Sequence, residues 1–251
     1  MRRLLHKYRN LAQPVFSVYG RWKNWADGRI VRQHYPDVDI VPSRDPEAPY
    51  ASQHGQDRYL AEAVMEGATT GVFVDIGCNH PVQGSNSWFF EQQGWTGYAF
   101  DPIQRFADLW REKRSTPFIN AAVAETVDKL EFVEFEARYG WEHQLSSFKD
   151  FVDPAHLSSM PHTSYIVNAG PVSHHCPDLS HVDLALIDVE GAELLVLRGL
   201  FAGGLFPRWI LMENNAQRGG SEQVRLALIE QGYSFKARIA ATDDLFIRRD
   251  Q

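Results

Sequence analysis

Val72-Phe73-Val74-Asp75-Ile76-Gly77-Cys78-Asn79, followed further on by Tyr98-Ala99-Phe100-Asp101, decides the reading of this chain. An apolar run that breaks at Asp-x-Gly-x-Asn is a buried strand entering a tight turn, and the second apolar run ends in an acid. In an open parallel sheet, ligands bind outside the carboxyl ends of the strands. Gly77 permits the turn and a close backbone approach. Asp101, closing the neighbouring strand, is placed to accept hydrogen bonds from both hydroxyls of a ribose. The pattern predicts an α/β enzyme with a nucleotide-like cofactor.

The glycines that are missing narrow the cofactor. A dinucleotide site uses G-x-G-x-x-G to seat a pyrophosphate on a helix N-terminus, whereas here Asn79-His80-Pro81 occupy that stretch. A cofactor without pyrophosphate fits better, and S-adenosylmethionine is the expectation. A nicotinamide or flavin site, and a sheet turn with no ligand, are the alternatives.

Outward from this point the segments alternate. A helix is predicted over about Gly55–Met65, then the strand Val72–Ile76, a helix near Ser87–Gln93, a strand Tyr98–Phe100, a helix Ile103–Lys113 and a strand Phe118–Val123. Leu130–Phe135 reads as a further strand. Arg138–Ser180, rich in His, Pro and Ser, shows no period, and its length marks it as a candidate substrate cover. Alternation resumes with strand Leu184–Asp188, helix Ala192–Leu200, strand Trp209–Glu213 and helix Glu222–Gln231. Tyr233–Ala237 and Leu245–Arg248 then pair as an antiparallel hairpin at a sheet edge. The sum is a Rossmann-like seven-stranded methyltransferase sheet, mostly parallel with one antiparallel strand, in a domain spanning 50–251.

Residues 1–49 read as a basic helical arm and a Pro/Asp-rich linker, Pro36–Pro49. Residues 1–33 hold eight Lys or Arg against Asp27 alone, so the arm carries +7 while the whole chain carries −7, leaving −14 on the rest. So acidic a body is a poor general nucleic-acid binder. Leu4, Leu5, Tyr8, Leu11, Phe16 and Tyr19 are interleaved with the arm's cations. That suits either a helix packed on its own domain or one lying on an anionic membrane surface or a partner. Two cysteines, Cys78 and Cys176, outside any C-x-x-C pair, and the lack of a signal-peptide core or a long apolar run, give a cytoplasmic expectation, with peripheral membrane contact through residues 1–33 as its variant.

Four motifs in order resemble one family. Asp75-Ile76-Gly77-Cys78-Asn79-His80-Pro81, Gly94-Trp95-Thr96-Gly97, Asn120-Ala121-Ala122-Val123 and Ile187-Asp188-Val189-Glu190-Gly191-Ala192-Glu193, led in by Ser52-Gln53-His54-Gly55-Gln56-Asp57, are similar to the FkbM-type methyltransferases from about Ser52 to Arg249. The resemblance implies S-adenosylmethionine-dependent methylation, usually of an oxygen on a sugar or polyketide-like product. It implies that Asp75, Gly77 and Asn79 hold the methionine end of the cofactor, that Asp101 holds its ribose, and that Asn120 and Ala121 flank its adenine. The stretch His80-Pro81-Val82-Gln83-Gly84 departs from the shorter Asn-x-Gly turn of many members, which moves the carboxylate-end contacts to Gly84, Ser85 and Asn86.

An SN2 methyl transfer needs an acceptor in line with the methyl group, and a base where the acceptor oxygen is protonated. Asp188 and Glu190, at the end of a parallel strand, are the candidates for that chemistry, with His80 next; a helix-capping role is the plainer alternative for Glu190. His143, His162 and His181 are weaker candidate bases, and His174-His175-Cys176 lacks the spacing of a zinc site. Asp188, Glu213 and Asn214, on neighbouring strands, form a candidate Mg²⁺ set. Tyr139 and Trp141 are candidates to stack on a sugar ring. The partner expected is a small hydroxylated or glycan acceptor. The competing classes are a non-catalytic binding module tethered by its arm, and an RNA methyltransferase.

Overall fold

The protein is described by a computed structural model covering residues 22–249, apart from 66, 139, 141 and 216–217. Tyr139, Trp141 and the first twenty-one residues of the basic arm therefore lie outside the described residues.

The large sheet is built from β2 (Val72–Ile76), β3 (Thr96–Phe100), β4 (Phe118–Ile119), β9 (Leu184–Ile187), β10 (Trp209–Glu213), β11 (Tyr233–Ile239), β12 (Asp243–Arg248) and β1 (Asp39–Val41). Their order is β1-β11-β12-β10-β9-β2-β3-β4, and only β12 runs antiparallel to its neighbours. Seven of these are the expected strands. The eighth, β1, comes from the stretch read as a linker and pairs in parallel with β11, Asp39 opposite Ala237. Three residues are too few to show a period, so it was invisible in the sequence.

Both faces of the sheet are buried, which is why its strands are apolar throughout. Val74, Ile76, Ala185, Ile187, Ile210 and Met212 face one core with Val196, Leu197 and Leu200 of α7 (Glu193–Ala202) and Leu228 of α8 (Glu222–Glu230). Phe73, Leu184, Leu186 and Leu211 face the other, against Leu60, Phe90 and Trp95. Leu60 opens a π-helical turn, Leu60–Val64, that continues α2 (Gln56–Tyr59), and Phe90 lies on α3 (Trp88–Gln92). The helix α4 (Ala107–Lys113) buries Trp110 against Phe118.

The expected strand Phe118–Val123 is two strands in two sheets. After β4 the chain turns at Asn120, and β5 (Ala122–Val123) joins a second sheet in the order β5-β8-β6-β7, with β6 (Asp128–Phe135), β7 (Ser147–Phe148) and β8 (His162–Gly170). The expected irregular cover, Arg138–Ser180, is therefore mostly ordered. It also holds α5 (Pro154–Ser159), started by Asp153, whose Oδ1 accepts Ala155 N–H at 2.7 Å with Pro154 in the first turn, and α6 (Val172–His175). Phe132, Phe148, Val167 and Ala169 of this sheet pack on Ile103 and Ala192, above the carboxyl ends of the large sheet.

The described part of the basic arm is a helix, α1 (residues 22–34), packed on the domain through Asp27 and Val31. Asp27 accepts Gly219 N–H at 2.7 Å and pairs with the fully buried Arg238 at 2.9 Å. Arg238 also bonds Asp244 at 3.0 Å and the Asn214 carbonyl at 2.8 Å, while Arg225 pairs with Asp244 at 2.9 Å. Two guanidinium groups and two carboxylates thus offset one another in a place no isolated charge would tolerate.

Candidate active site

The carboxyl ends of β2, β3, β9 and β10 open into one cleft with a cavity volume of about 290 Å³. Its floor is the turn after β2. Gly77 has φ +81°, and a Cβ there would lie 1.7 Å from the Asp188 carbonyl oxygen, so only glycine lets β2 and β9 end side by side. Gly77 and Cys78 donate to the Phe100 carbonyl, and Asn79 follows with φ +46°.

One half of the cleft is fully wired. Asp101 accepts the backbone N–H of Asn79 on one oxygen and of Ile103 on the other, both at 2.8 Å. Burial pushes its carboxyl up to about 6, against the pull of those two bonds. Asp75 likewise rises to about 6 through burial, countered by the Ser87 hydroxyl it accepts and by Arg114 nearby. Arg114 holds Ser87 at 3.0 Å, the Pro81 carbonyl at 2.6 Å and the Glu91 carboxylate, and so clamps the loop over this half. Nothing in the sequence singles out Arg114 or Ser87: an arginine ending a helix and a serine starting one are ordinary residues there.

The expected cofactor residues gather here with one exception. Asp75, Gly77, Asn79, Ser85, Asp101 and Ala121 line the cleft. Gly84 and Asn86 line it too, and the buried Asn86 Oδ1 lacks a hydrogen-bond partner. Asn120 does not reach the wall: its amide donates to the Asp101 and Pro102 carbonyls at 3.0 and 2.9 Å, bracing the turn instead. His80 is also committed. Its Nδ1 accepts Val82 and Gln83 N–H at 3.1 and 2.9 Å, leaving the ring proton on Nε2, and burial lowers its pKa. The expectation of His80 as a base gives way to a histidine that ties its own loop.

The other half gathers three acids against one another, with the Asn215 amide donating to Glu213 at 2.6 Å. One carboxylate oxygen from each of Asp188, Glu190 and Glu213 falls within 4.8 Å of the other two. Glu190 holds φ +51°, unusual for a residue with a side chain, and this backbone turns its carboxylate toward Asp188 and Glu213. Asp188 is open to the cleft, yet the protein around it strips enough water to raise its carboxyl well above the usual range. Glu190 and Asp243 add repulsion, and a hydrogen bond with Glu213 works the other way. Burial followed by the Asp188 charge drives Glu213 up to about 11, and burial with Glu193 drives Glu190 to about 7. The sequence reading of Asp188, Glu213 and Asn214 as a metal set is corrected at its third member. Asn214 turns away, its amide donating to Asp244 at 2.7 Å and Ser221 O at 3.1 Å and accepting Ser221 N–H at 2.6 Å, and Glu190 stands in its place.

The second sheet roofs the cleft with a short stretch, 143–148. Ser147 Oγ donates to the Val189 carbonyl at 3.0 Å, and His143 Nε2 lies 3.1 Å from Asn79 Oδ1. His162 and His181 do not line the cleft; His181 pairs with Asp183 at 2.7 Å before β9. In the motif that runs into α2, Asp57 accepts Ala51 and Ser52 N–H at 2.7 and 3.1 Å and Gln56 reaches Asp243 at 3.1 Å, while Gln53 and His54 line the cleft.

A mostly parallel sheet with a single reversed strand, its cleft at the carboxyl ends and an acid closing its second strand, defines the class of α/β methyltransferases. The methyltransferase FkbM domain model matches residues 75–235, and the chain belongs to that family. No curated protein and no solved structure matches it.

Proposed function

We propose that the protein is an S-adenosylmethionine-dependent O-methyltransferase acting on a hydroxyl of a saccharide, glycolipid or similar natural product. The observation that carries this is the meeting, in one cleft, of a hydrogen-bonded acid at the end of β3 with a proton-holding carboxylate cluster at the ends of β9 and β10. The cofactor fits the wired half. Asp101 keeps lone pairs free for ribose hydroxyls, Ala121 offers an apolar wall to adenine, and the orphaned Asn86 Oδ1 awaits a donor such as the methionine ammonium.

When bound, S-adenosylmethionine supplies an electrophilic methyl group. The chain supplies position and a proton acceptor. With the cluster's proton resting on Glu213, whose hydrogen bond favours the ionised form of Asp188, Asp188 takes the proton of the acceptor hydroxyl as its oxygen attacks. Glu213 holds Asp188 by their shared hydrogen bond, and Glu190 orients the acceptor. The His143–Ser147 roof keeps water from competing for the methyl group. Asp188, Glu190 and Glu213 would also hold Mg²⁺, whose charge would remove their repulsion and acidify a bound hydroxyl.

Calorimetric titration with S-adenosylmethionine and S-adenosylhomocysteine, then transfer of labelled methyl to hydroxylated glycans with and without Mg²⁺, tests the reading. Micromolar binding and labelled product support it, whereas absence of cofactor binding overturns it.

A further inference from the structure

The outer face of α1 is at odds with a helix whose only task is to pack on its own domain. Asp27 and Val31 point inward and are 3% and 1% exposed, while Trp22 and Trp25 are 49% and 57% exposed on the opposite side. Tryptophan is normally well covered, and two on one helix face are a large apolar exposure. Trp22, Trp25, Arg29 and Arg32 recur at helical spacing, so they form one stripe. Within it the Arg29 guanidinium lies 5.1 Å from the Trp25 ring centre, and Arg218 lies 5.6 Å from that of Trp22. Ile30, 36% exposed, and the exposed Lys23 flank the stripe.

We propose that this face lies on an anionic bilayer surface. Indole rings partition to the headgroup level, where one side is apolar and the other wet, and guanidinium groups beside them pair with lipid phosphates. The charge division of the chain orients the contact, since +7 sits in residues 1–33 and −14 in the remainder, so the arm is drawn to the surface and the body is held off it. The residues leading into α1 interleave Leu4, Leu5 and Leu11 with Arg2, Arg3, Lys7 and Arg9. Those aliphatic side chains enter an acyl boundary, Tyr8, Phe16 and Tyr19 among them suit its headgroup level as the tryptophans do, and the −14 body disfavours a nucleic-acid polyanion.

One loop touches both the stripe and the cleft. The loop after β10 carries Asn215 to the cleft wall and Arg218 to Trp22. A bilayer against α1 therefore lies near the carboxylate half, where a lipid-borne acceptor would enter. The surface stands without the methyl-transfer reading; this use of it rests on that reading.

Flotation of the full-length chain with phosphatidylcholine vesicles, with and without phosphatidylglycerol, tests the proposal without any cofactor. Partitioning is expected only with phosphatidylglycerol. It should fall about 30-fold in Arg29→Gln/Arg32→Gln and about tenfold in Trp22→Ala/Trp25→Ala. Unchanged melting temperature and S-adenosylhomocysteine affinity would show that both variants fold. Equal partitioning to neutral vesicles, variants that float like the parent, RNA that strips the protein from the vesicles, or a dimer that Trp22→Ala/Trp25→Ala splits would each overturn it. Vesicle binding without methyl transfer to any acceptor would leave the surface standing and sink the catalytic reading alone.

Discussion

The two halves of the cleft handle buried carboxylates in opposite ways. On the β2–β3 side, Asp75 and Asp101 are each met by donors from the protein itself: Ser87, Arg114 nearby, and two backbone N–H groups. On the β9–β10 side, Asp188, Glu190 and Glu213 face one another with no cation among their principal influences. The first arrangement is complete before any ligand arrives. The second has one protein donor, the Asn215 amide on Glu213, and is completed by a proton, a cation or a substrate, storing the repulsion until then. In the function proposed above, the rigid half would bind and the frustrated half would react, so that binding and chemistry are kept apart.

Four variants can break or sharpen that contrast. The largest effect is expected for Asp188→Asn, which keeps the shape and removes the proposed base. Turnover should fall about 10³-fold, with S-adenosylhomocysteine affinity unchanged in calorimetry; a matching loss of affinity would mean that the halves are not separate. Gly77→Ala strikes the point where the halves touch. Its Cβ would collide with the Asp188 carbonyl at positive φ, so chemical denaturation should show a loss of about 3 kcal/mol.

Asp101→Asn acts on the wired half alone. It should weaken cofactor binding by about 2 kcal/mol and lower the melting temperature, since one of the two N–H groups it now accepts would face an amide donor, while the pH dependence of any residual rate stays close to that of the parent. The smallest effect belongs to Glu190→Gln/Glu213→Gln in the apoprotein. Glu190 and Glu213 bind protons more tightly folded than unfolded, so their contribution to stability is present below the unfolded value of about 4.3 and is lost as pH rises through about 7 for Glu190 and toward 11 for Glu213. The double variant should therefore melt about 2–4 °C higher than the parent near pH 8 and match it near pH 5. A variant that melts lower at pH 8 would show the cluster to be cohesive instead.

How far the sequence speaks depends on whether a residue's partner is near in the chain. The strands β2 and β10 and the acids Asp75, Asp101 and Asp188 are written locally, in apolar runs that end at an acid or, after β2, at Gly77, and they fall where expected. The second sheet was missed because β8 begins His162-Thr163-Ser164 and turns Ile166 outward, 61% exposed, which blurs the period-two pattern that Tyr165, Val167 and Ala169 keep. The true partners of Asn214 and Asn120 depend on Asp244 and on the carbonyls of 101–102, contacts that only the fold creates. The third carboxylate was named for its chemistry, but its place beside Glu213 needed the positive φ of Glu190, a backbone state that no residue pattern here announces.

The three residues of β1 have a consequence out of proportion to their length. Without them β11, seven residues long, would be the outer strand of the large sheet, with its unpaired amides and carbonyls facing solvent. The opposite margin is safe, since β4 has only two residues. β1 therefore works as a cover strip against self-association. Cutting the chain back to residue 50 would open a template for aggregation as well as weaken a domain.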